Sequence, residues 1–577
     1  MELVADGAAR LTPARLGLLP PGVARLAYDR SALRVGIVHL GLGAFVRAHL
    51  AAVNEAAINE SVIHPAAALA GAALCWGICG VSLRHSDTRD ALAPQDGLYT
   101  LALRSANAHG RPQQHLAVIG CLREMLVAPE DPQAVLARIA HADTRIVSVT
   151  VTEKGYCHDP ASGLLNLNHP DIQHDLSHPR APRSTIGFIV RGLQQRYAAG
   201  RNGITLMSLD NLPSNGHLLR GMVVAFAQKI DSALAQWIAS HCTFPCSMVD
   251  RIVPRTTDDD RRDVAHVLGV HDAWPVVAEP YLEWVVEDIF AAGRPDWTAG
   301  GARFVAHAAP FETLKLRTVN GAHSALAYLS VMAGWDTVDQ AMAQPALKAY
   351  LAALLREDIV PTLPELPGLD LTQYQARLLQ RFANPALKHQ TRQIAMDGSQ
   401  KLPQRLLDTV RARLAQDLPI NGLALAVAAW LHFLRGVDEA GRRYDIQDPM
   451  ADVLAKRYAQ AEQAVAIRKV DRQSDRQSDR QSDRPSDRQS DRQSDRQSDR
   501  QCGQDHANQG GNSRPDDSAE ADATRVWVQT LTGLAPVFGD DLGQDPRFVR
   551  AVALAVQSLR ARGVAGALAA FTASPTS

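Results

Sequence analysis

The chain lacks the residues and patterns that mark several broad classes of protein. Seven cysteines in 577 residues are too few for a disulfide framework. The C-x-x-x-C pairs that begin at Cys75 and Cys242 do not have zinc-ribbon spacing, and no H-E-x-x-H occurs. We therefore expect reduced cysteines that pack as small apolar residues, and no bound metal.

The chain also has no excess of charge of either sign. With 60 basic and 61 acidic residues, the formal net charge is -1. No basic stripe with interleaved aromatic residues occurs, so nothing favours nucleic acid or an anionic membrane surface as a partner. The first residues, M-E-L-V-A-D-G, lack the charged and apolar segments of a signal peptide. These absences predict a cytoplasmic protein that binds neither nucleic acid nor membrane.

The hydrophobic pattern divides the chain into two regions. In the first region, helix-like segments alternate with short apolar runs at residues 35–40, 76–81, 145–152 and 204–209. This alternation is typical of a parallel sheet covered by helices. From about residue 302 onward, helical periodicity dominates. Because 577 residues are too many for one core, we predict an α/β fold: a Rossmann-like domain at residues 1–300, followed by a mainly α-helical domain at residues 301–577.

A low-complexity segment interrupts the second region. Residues 471–501 repeat the tetrapeptide D-R-Q-S, with one variant at Pro485, and contain no apolar residue. Such a segment cannot bury surface to offset the entropy of ordering the chain. We predict a disordered insertion at residues 471–523 and expect an expanded, tolerated repeat. A functional interaction tail is the alternative.

A glycine-containing turn follows the first predicted strand. The sequence Gly41-Leu42-Gly43 lies between that strand and a helix-like stretch, where a tight turn lets a diphosphate approach the backbone. The third fingerprint position is Val46 instead of glycine. The turn and the ends of the strands predict a dinucleotide site, with cofactor-binding candidates Gly41, Gly43, Phe45, Arg47, Asp87, Thr152 and Glu153.

Asp87 is the candidate for binding the adenosine ribose. It follows the second apolar run, although it lies further along the chain than the usual spacing of about 20 residues. An acid there repels a 2′-phosphate and so favours NAD over NADP. Arg84, three residues earlier, argues in the opposite direction. A surface-loop acid remains the alternative interpretation of Asp87.

The segment F-E-T-L-K-L-R-T-V-N-G-A-H-S, residues 311–324, carries the residues with the most chemistry. On a regular α-helix, Lys315, His323 and Asn320 lie at about 0°, 80° and 140° and project from one side. Together they offer an amine that can exchange a proton, an imidazole and an amide donor. This set suits a metal-free site that binds the oxygen of a carbonyl or alcohol. A surface lysine beside an Asn-Gly turn is the alternative.

Six segments in the same order resemble one family, the polyol-specific long-chain dehydrogenases. The resemblance covers nearly the whole chain outside the repeat. It rests on G-L-G-A-F-V-R-A-H at 41–49, T-E-K-G-Y-C at 152–157, D-N-L-P-S-N-G at 210–216, M-V-D-R-I-V-P at 248–254, K-L-R-T-V-N-G-A-H-S at 315–324 and D-G-S-Q-K-L-P at 397–403.

The resemblance implies a role for each matching residue. Lys315 is then the general acid/base, Asn211 and Asn320 hold the reacting oxygen, and His323 positions the substrate. Glu312 would relay the proton to solvent. The resemblance implies NAD as cofactor, no metal, and a sugar acid or polyol as substrate. For Lys315 to act in oxidation it must first be neutral, so its surroundings must lower its pKa from the usual 10.4 or so.

Within the family, the segment at residues 392–405 resembles the branch that reduces D-fructuronate to D-mannonate, and mannitol 2-dehydrogenase activity is the alternative. A uronate needs a cation for its carboxylate. Arg317, Arg392, Lys401 and Arg405 are candidates, with Lys401 favoured, and each is otherwise a surface or helix-end charge. A nucleotide-binding sensor on the same fold is the non-enzyme alternative. No heptad seam or apolar stripe occurs and relatives are often monomeric, so we expect a monomer.

Overall fold

The computed structural model describes residues 9–64, 70–107, 111–159, 162–366, 369–482 and 515–573. The chain divides into two compact units. Unit 1 comprises Met1–Val319 and Leu363–Gln390, and unit 2 comprises Asn320–Thr362 and Thr391–Ser577. The predicted domain boundary near residue 300 stays a prediction.

The strands of the described residues all lie in unit 1. Numbered in chain order they are β1 Val35–Leu40, β2 Gly77–Ser82, β3 Tyr99–Ala106, β4 Pro112–Ile119, β5 Leu122–Val127, β6 Ile146–Val149, β7 Thr205–Ser208, β8 Ser247–Asp250, β9 Val276–Ala278, β10 Glu283–Glu287 and β11 Ala302–Val305.

Five of these strands form a parallel sheet in the order β5-β2-β1-β6-β7. β1, β2, β6 and β7 are entirely buried, as expected when helices cover both faces. The strand order reverses direction between β1 and β6, and ligands of such sheets bind at the carboxyl ends of the strands beside this reversal. The predicted Rossmann-like sheet is therefore confirmed.

Two smaller sheets complete unit 1, and the apolar pattern did not predict them. β4 pairs antiparallel with β3, which is parallel to β9. β8 pairs antiparallel with β10, which is parallel to β11. Their strands come from distant parts of the chain, which a local pattern cannot reveal. Because β8 ends at Asp250, the second sheet places an acidic side chain at a strand end.

The helices of unit 1 flank these sheets. Numbered along the whole chain, they are α1 Ala44–Ala48, α2 Leu50–Ile63, α3 Ala70–Ala73, α4 Asp87–Leu92, α5 Pro132–Ala140, α6 Pro170–Ser177, α7 Thr185–Ala198, α8 Asn215–Ile230, α9 Ser232–His241, α10 Asp258–Leu268, α11 Ala309–Lys315 and α15 Leu371–Phe382.

Unit 2 is mainly helical in its described residues, which confirms the predicted mainly helical second region. Its helices are α12 Gly321–Ala333, α13 Val338–Met342, α14 Pro345–Ala353, α16 Thr391–Ala395, α17 Gly398–Leu402, α18 Asp408–Leu414, α19 Asn421–Phe433, α20 Ala451–Ser482, α21 Pro515–Thr532, α22 Ala535–Phe538 and α23 Pro546–Ala573. In the part of the chain that the structure describes, π-helical segments lie at Leu316–Asn320, Leu354–Ile359 and Pro403–Leu407.

Two helices form the centre of unit 2. In α12 every residue from Gly321 to Met332 is buried, and in α19 every residue from Gly422 to Phe433 is buried. Helices that are apolar on all sides belong in the interior of a bundle. They pack on each other, and α23 and α16 pack against them.

The first part of the D-R-Q-S repeat is helical, because α20 continues to Ser482. Arginine and glutamine are good helix formers and the first proline of the repeat is Pro485, so nothing in the local sequence ends the helix earlier. The predicted insertion at 471–523 therefore begins inside a helix. Its residues 483–514 lie outside the described residues. No described helix is long and apolar enough to cross a membrane.

Candidate active site

The glycine turn joins the carboxyl end of β1 to α1. Gly41 has φ +102°, and a Cβ at this position would lie 2.1 Å from the Thr150 carbonyl oxygen, so only glycine fits. His39 and Thr150 bind each other at 2.9 Å, and the Thr150 hydroxyl donates to the Gly41 carbonyl at 2.9 Å. These bonds fix the turn at the reversal between β1 and β6, where a dinucleotide diphosphate is expected.

The predicted first helix is in fact two helices that meet at His49. The His49 backbone is not helical (φ -115°, ψ -88°), and its buried ring stacks on Phe45 with ring centroids 5.0 Å apart. The His49 Nε2 lies 3.3 Å from the Glu283 carbonyl oxygen. These tertiary contacts accompany the break that helical periodicity did not predict. They also place Phe45, a predicted cofactor residue, against His49.

An open cleft of about 790 Å³ brings together three of the predicted cofactor residues, Gly43, Arg47 and Asp87. Asp87 begins α4 and is exposed. Arg47 is buried, and it donates to the Trp274 carbonyl at 2.6 Å and to the Gly43 carbonyl at 3.3 Å. Burial lowers the pKa of Arg47 to about 10. The cleft also contains Arg255 and Arg261.

The loops after β6 and β7 are tied together by Asp210. Its carboxylate accepts from the Thr152 and Val151 backbone N–H groups at 2.9 and 3.1 Å, and from the Tyr156 hydroxyl at 2.8 Å. Burial raises the pKa of this carboxyl against the effect of those bonds. Thr152 has φ +60°, a conformation that a threonine adopts only when its surroundings hold it. The predicted residue Glu153 follows, at the start of a 3₁₀ turn.

Asn215, at the other end of the loop that begins at Asp210, also fixes this loop by hydrogen bonds. Its amide donates to the Asp210 carbonyl at 2.9 Å and to the Ser247 carbonyl at 2.8 Å, and it accepts from the Ser247 N–H at 2.9 Å. The loop from Asp210 to Asn215 is thus held at both ends, and Asn211 lies between these fixed points.

Lys315 and Glu312 both bind this loop. The buried Lys315 Nζ donates to Asn211 Oδ1 at 2.6 Å, and Glu312 Oε1 accepts from the Ser214 N–H at 2.6 Å. A cavity of about 10 Å³, room for about one water molecule, is lined by these groups and by β8. Burial raises the pKa of the Glu312 carboxyl to about 7. The pairing brings together three of the predicted catalytic residues, Lys315, Asn211 and Glu312.

Asp250, at the end of β8, is a site residue that the sequence prediction missed. Its side chain is buried, and burial acts to raise its pKa, but the charges of Arg381 and Lys315 outweigh burial and hold that pKa below its usual value. Arg381 donates to Asp250 at 2.7 Å and to Glu279 at 2.7 and 3.0 Å. An ionised carboxylate is therefore fixed in the surroundings of Lys315.

α15 brings Arg381 to Asp250 although the two lie far apart in the sequence. Asp370 caps this helix by accepting from the Thr372 and Gln373 N–H groups, and Tyr374, Leu378 and Phe382 form its buried stripe. Arg381 stacks over the Tyr281 ring at 3.7 Å. The signal for Asp250 was present in the segment M-V-D-R-I-V-P, but nothing local indicated Arg381.

The segment from Lys315 to His323 is not the regular α-helix that the angular prediction assumed. α11 ends at Lys315, a π-helical turn covers Leu316–Asn320, and α12 begins at Gly321. A π turn has i→i+5 bonds and adds a residue to the turn, so the predicted angles of Asn320 and His323 relative to Lys315 do not hold. Asn320 and His323 are buried in unit 2, with 5% and 8% exposure.

The predicted substrate cations of unit 2 differ in their surroundings. Arg392 is exposed and stacks over Tyr444 at 5.7 Å. Lys401 donates to the Met396 carbonyl at 2.6 Å and lies 4.0 Å from Asp397. Burial lowers the pKa of Lys401 to about 8. Arg405 donates to the Ser324 hydroxyl at 3.3 Å.

Comparison with known proteins identifies the family. The mannitol dehydrogenase Rossmann domain matches residues 35–299, and the mannitol dehydrogenase C-terminal domain matches residues 307–473. The chain belongs to the mannitol dehydrogenase family. The family membership that the six segments indicated is thereby confirmed. The family is one of oxidoreductases.

Relatives within the mannitol dehydrogenase family carry several different names. The chain is 40% identical over 553 residues to D-mannonate oxidoreductase of Escherichia coli (strain K12), covering 95% of this chain and 98% of that protein. It is 40% identical over 435 residues to mannitol 2-dehydrogenase of Aspergillus fumigatus, covering 74% and 84%. Pseudomonas fluorescens mannitol 2-dehydrogenase, solved as a ternary complex with NAD and D-mannitol, superposes with TM-score 0.79 at 34% identity, covering 98% and 100%.

No group of three or more His, Cys, Asp or Glu side chains that could hold a metal ion occurs in the part of the chain that the structure describes. Asn211, Glu312 and Asp250 are among the side chains that interact with Lys315 in this member of the mannitol dehydrogenase family. Their roles, like those of Asn320, His323 and the cofactor-cleft residues, remain predictions.

Proposed function

We propose that this chain is an NAD(H)-dependent oxidoreductase that interconverts D-fructuronate and D-mannonate. The observation that carries the reaction type is the 2.6 Å bond from the buried Lys315 ammonium to Asn211, beside Glu312. An amine and a carboxyl that line one small cavity can pass one proton, which is what reduction of a ketone requires in addition to hydride.

The predicted cofactor fits the cleft of unit 1. Gly41 leaves room for a diphosphate at the turn after β1, and Asp87 provides a carboxylate for a ribose hydroxyl pair in the same cleft as Gly43. Bound NADH would supply the hydride. NAD as cofactor agrees with the complex of the Pseudomonas fluorescens enzyme. NADP is disfavoured by Asp87, although Arg255 and Arg261 lie in the same cleft.

The chain's own residues handle the proton and the charge on oxygen. In reduction, Lys315 donates a proton to the alkoxide oxygen that develops as the ketone carbon accepts hydride, and that oxygen becomes the alcohol. Amide donors of Asn211 and Asn320 stabilise the developing charge, and His323 orients the substrate. In oxidation Lys315 accepts the alcohol proton, and Glu312, with a pKa near 7, passes it to water.

Asp250 and Arg381 have a supporting role in this proposal. The Arg381 charge keeps Asp250 ionised in the interior. An ionised carboxylate accepts hydrogen bonds and donates none, so Asp250 suits a substrate hydroxyl beside the reacting carbon. Glu279 and Tyr281 hold the guanidinium in one orientation.

The substrate assignment rests on the extent of likeness to the relatives. D-mannonate oxidoreductase of Escherichia coli aligns over 95% of this chain, whereas the mannitol 2-dehydrogenase of Aspergillus fumigatus aligns over 74%. Mannitol 2-dehydrogenase activity is the second candidate, favoured by the TM-score of 0.79 to the Pseudomonas fluorescens enzyme.

A substrate panel tests the assignment. The purified chain is assayed with D-fructuronate, an epimeric keto-uronate, D-fructose and other ketoses, each with NADH and with NADPH. We expect kcat/KM to be highest for D-fructuronate with NADH, by at least about tenfold over D-fructose. A preference for D-fructose would assign the chain to the mannitol 2-dehydrogenases instead.

A substitution of Lys315 separates an enzyme from a nucleotide-binding sensor. Lys315→Ala should lower kcat by about 10²–10⁴-fold, the usual contribution of a positioned general acid, while NADH affinity stays within about twofold. The matched control is Lys229→Ala, at an exposed lysine of α8. Similar turnover in the two variants would contradict the catalytic role, and wild-type protein that binds NADH without reducing any ketose or keto-uronate would favour the sensor.

A further inference from the structure

His39 is a polar residue inside the buried strand β1, whose other residues are apolar or glycine. Its side chain has no exposed surface. A buried imidazole costs free energy unless its nitrogens are hydrogen-bonded. Nδ1 lies 2.8 Å from the hydroxyl of Ser148, its partner across β1 and β6, and Nε2 lies 2.9 Å from the hydroxyl of Thr150. Both nitrogens are therefore satisfied at a position where an apolar residue would need no partner.

The direction of these hydrogen bonds follows from a count of protons. The Thr150 hydroxyl has one proton, which it donates to the Gly41 carbonyl at 2.9 Å. Its oxygen therefore accepts from His39, which places the ring proton on Nε2. Nδ1 is then an acceptor, and the Ser148 hydroxyl donates to it. Burial lowers the pKa of His39 to about 3, so the ring carries a single proton at neutral pH.

We call Ser148, His39 and Thr150 the donor chain, because each hydroxyl or ring proton is donated toward the Gly41 carbonyl oxygen. That oxygen accepts from the Thr150 hydroxyl and from the Gly43 N–H at 2.7 Å, and His39 Nε2 lies 3.2 Å from it. A carbonyl oxygen has two lone pairs, so these donors occupy it fully. The side-chain donors come from β1 and from the residue after β6, so the oxygen points toward the sheet.

The neighbouring strand β2 holds the other side of the same turn. The Gly41 and Leu42 N–H groups donate to the Val81 carbonyl at 2.9 and 3.2 Å. A Cβ at Gly80 would lie 2.7 Å from both methyl carbons of Leu42, so the Leu42 side chain packs directly on this strand. The peptide between Gly41 and Leu42 is thus fixed at its N–H by β2 and at its carbonyl by the donor chain.

The direction of the Gly41 carbonyl matters for an anionic cofactor. The turn lies at the carboxyl end of β1 beside the reversal of strand order, where the diphosphate of a dinucleotide binds in such sheets. A carbonyl oxygen carries partial negative charge and repels a phosphate at short range. The bonds from His39 and Thr150 direct this oxygen toward the sheet before the cofactor arrives, so the turn does not have to reorganise on binding.

We propose that the donor chain positions the NAD site and raises cofactor affinity by holding the Gly41 carbonyl away from the diphosphate. Its three residues act through Gly41 and need not touch the cofactor. The inference rests on NAD(H) as the cofactor of the proposed function and is independent of which sugar is reduced. It gives a role to a buried histidine that the proton transfer does not use.

Thr144 shows what a threonine hydroxyl does when it supports the fold alone, and it provides a matched control. It precedes β6, whereas Thr150 follows this strand. Its hydroxyl donates to the Arg138 carbonyl at 2.7 Å, just as the Thr150 hydroxyl donates to a backbone carbonyl. Loss of either hydroxyl removes one such bond, so a difference in cofactor affinity between the two variants isolates the effect on the turn.

The test measures the Kd of NADH without a substrate, from the fluorescence of the bound nucleotide. Thr150→Val should raise this Kd about tenfold, the upper range for one hydrogen bond. Thr150→Ser keeps the hydroxyl and should restore the Kd to within about twofold of wild type. His39→Leu should raise the Kd about fivefold and Ser148→Ala about threefold. Thr144→Val should lower the thermal midpoint as much as Thr150→Val does and leave the Kd within about twofold.

ADP-ribose locates the effect, because it has the diphosphate and lacks the nicotinamide. Thr150→Val should weaken the binding of ADP-ribose and of NADH by the same factor. A loss on NADH alone would place the effect at the nicotinamide and overturn the proposal. Unchanged Kd values in both Thr150→Val and His39→Leu would also overturn it, as would an equal rise in Thr144→Val.

The same measurements separate failure of this inference from failure of the proposed function. If Thr150→Val weakens NADH binding but wild-type protein does not reduce D-fructuronate, the donor chain keeps its role and the substrate assignment is wrong. If D-fructuronate is reduced and the Kd of NADH is equal in all variants, the proposed function holds and the donor chain is structural only. Wild-type protein that binds neither NADH nor NADPH would contradict both.

Discussion

Two arginines, one in each unit, differ in their charged partners. In unit 1, Arg381 donates to Asp250 and Glu279 at 2.7 Å, and these two acids raise its pKa well above the usual value against the effect of burial. In unit 2, no carboxylate of the described residues forms an ion pair with Arg405, and burial lowers its pKa to about 10 although the charge of Asp397 acts in the opposite direction. The Arg381 guanidinium forms two ion pairs, and the Arg405 guanidinium forms one long hydrogen bond, to the Ser324 hydroxyl.

The difference shows how a fold can hold one arginine in ion pairs and leave another without one. A buried ion pair adds little net stability, but it fixes its members in place and keeps them ionised. Asp250 is held in this way. A buried cation without a counter-ion costs stability, and a chain that retains one gains only when a ligand anion supplies the missing charge.

The largest expected effect on stability is at Arg381. Arg381→Met leaves Asp250 and Glu279, with 5% and 2% exposure, without their cation. The loss of one partner of a buried pair should lower the free energy of unfolding by about 3–5 kcal/mol. Arg405→Met removes a charge that forms no ion pair with the described residues, and it should leave stability within about 1 kcal/mol of wild type, or raise it. Thermal midpoints from calorimetry measure both.

Arg84→Met, at an exposed arginine of unit 1, is the control for loss of charge alone. The penalty of Arg381→Met should shrink as the pH is lowered below about 5, because the orphaned carboxyl groups then take up protons. A destabilisation by Arg405→Met as large as that of Arg381→Met would remove the contrast between the two units.

Glu55 extends the comparison to a buried acid of unit 1 that forms no ion pair with a cation of the described residues. Its Oε2 accepts from the Tyr28 hydroxyl at 3.0 Å and from the Gly120 and Cys121 N–H groups at 2.9 and 2.8 Å. Burial raises its pKa from 4.5 to about 7. The folded chain therefore binds a proton that the unfolded chain releases, and stability should fall as the pH rises from 4.5 to 7, by on the order of 3 kcal/mol.

Glu55→Gln removes the ionisation and keeps the oxygen that accepts the three bonds. We expect the free energy of unfolding of the variant to change less than that of wild type between pH 5 and 8. The stability of the variant relative to wild type should therefore increase as the pH rises. Thermal midpoints over this range, with exposed Glu60→Gln as control, check the sign. If the thermal midpoints of Glu55→Gln and wild type changed equally with pH, the fold would not affect the ionisation of Glu55.

The smallest expected effect concerns Glu312, whose carboxyl has a pKa near 7 because of burial. If it relays the proton from Lys315, kcat for alcohol oxidation should rise through pH 7 as Glu312 ionises. Glu312→Gln should flatten this step and lower kcat above pH 8 by about tenfold. A pH profile of kcat with saturating substrate measures the change, with Glu60→Gln again as control. A step near pH 7 that persists in Glu312→Gln would assign it to another group.

Much of the nucleotide-binding architecture could be predicted from the sequence. The predicted run at residues 35–40 coincides with β1, and the turn at Gly41 has the positive φ that the glycine indicated. These features are local, since buried parallel strands are continuous apolar runs and a left-handed turn selects glycine. Asp87 also lies in the cleft with Gly43, despite its unusual spacing.

Other parts of the site could not be predicted, because they depend on contacts between distant segments. Arg381 reaches Asp250 across 131 positions of the sequence, and Lys315 reaches Asn211 across 104. The π turn at Leu316–Asn320 invalidated the angles predicted for a regular helix. Hydrophobic periodicity does not distinguish a π turn from an α-helical one over so few residues.

The sequence alone determined which chemical groups the chain has and where its local turns and buried strands lie, since backbone conformation and apolar patterning act over a few residues. Tertiary structure decided which charges are neutralised. The sequence does not distinguish the arginines at 381, 405 and 413. Only their neighbours in space give Arg381 two ion pairs, Arg405 a single long bond to a hydroxyl, and Arg413 a position 3.9 Å from Asp358. The physical reason is that desolvation and Coulomb energy depend on distance through the folded protein, which the order of residues does not contain.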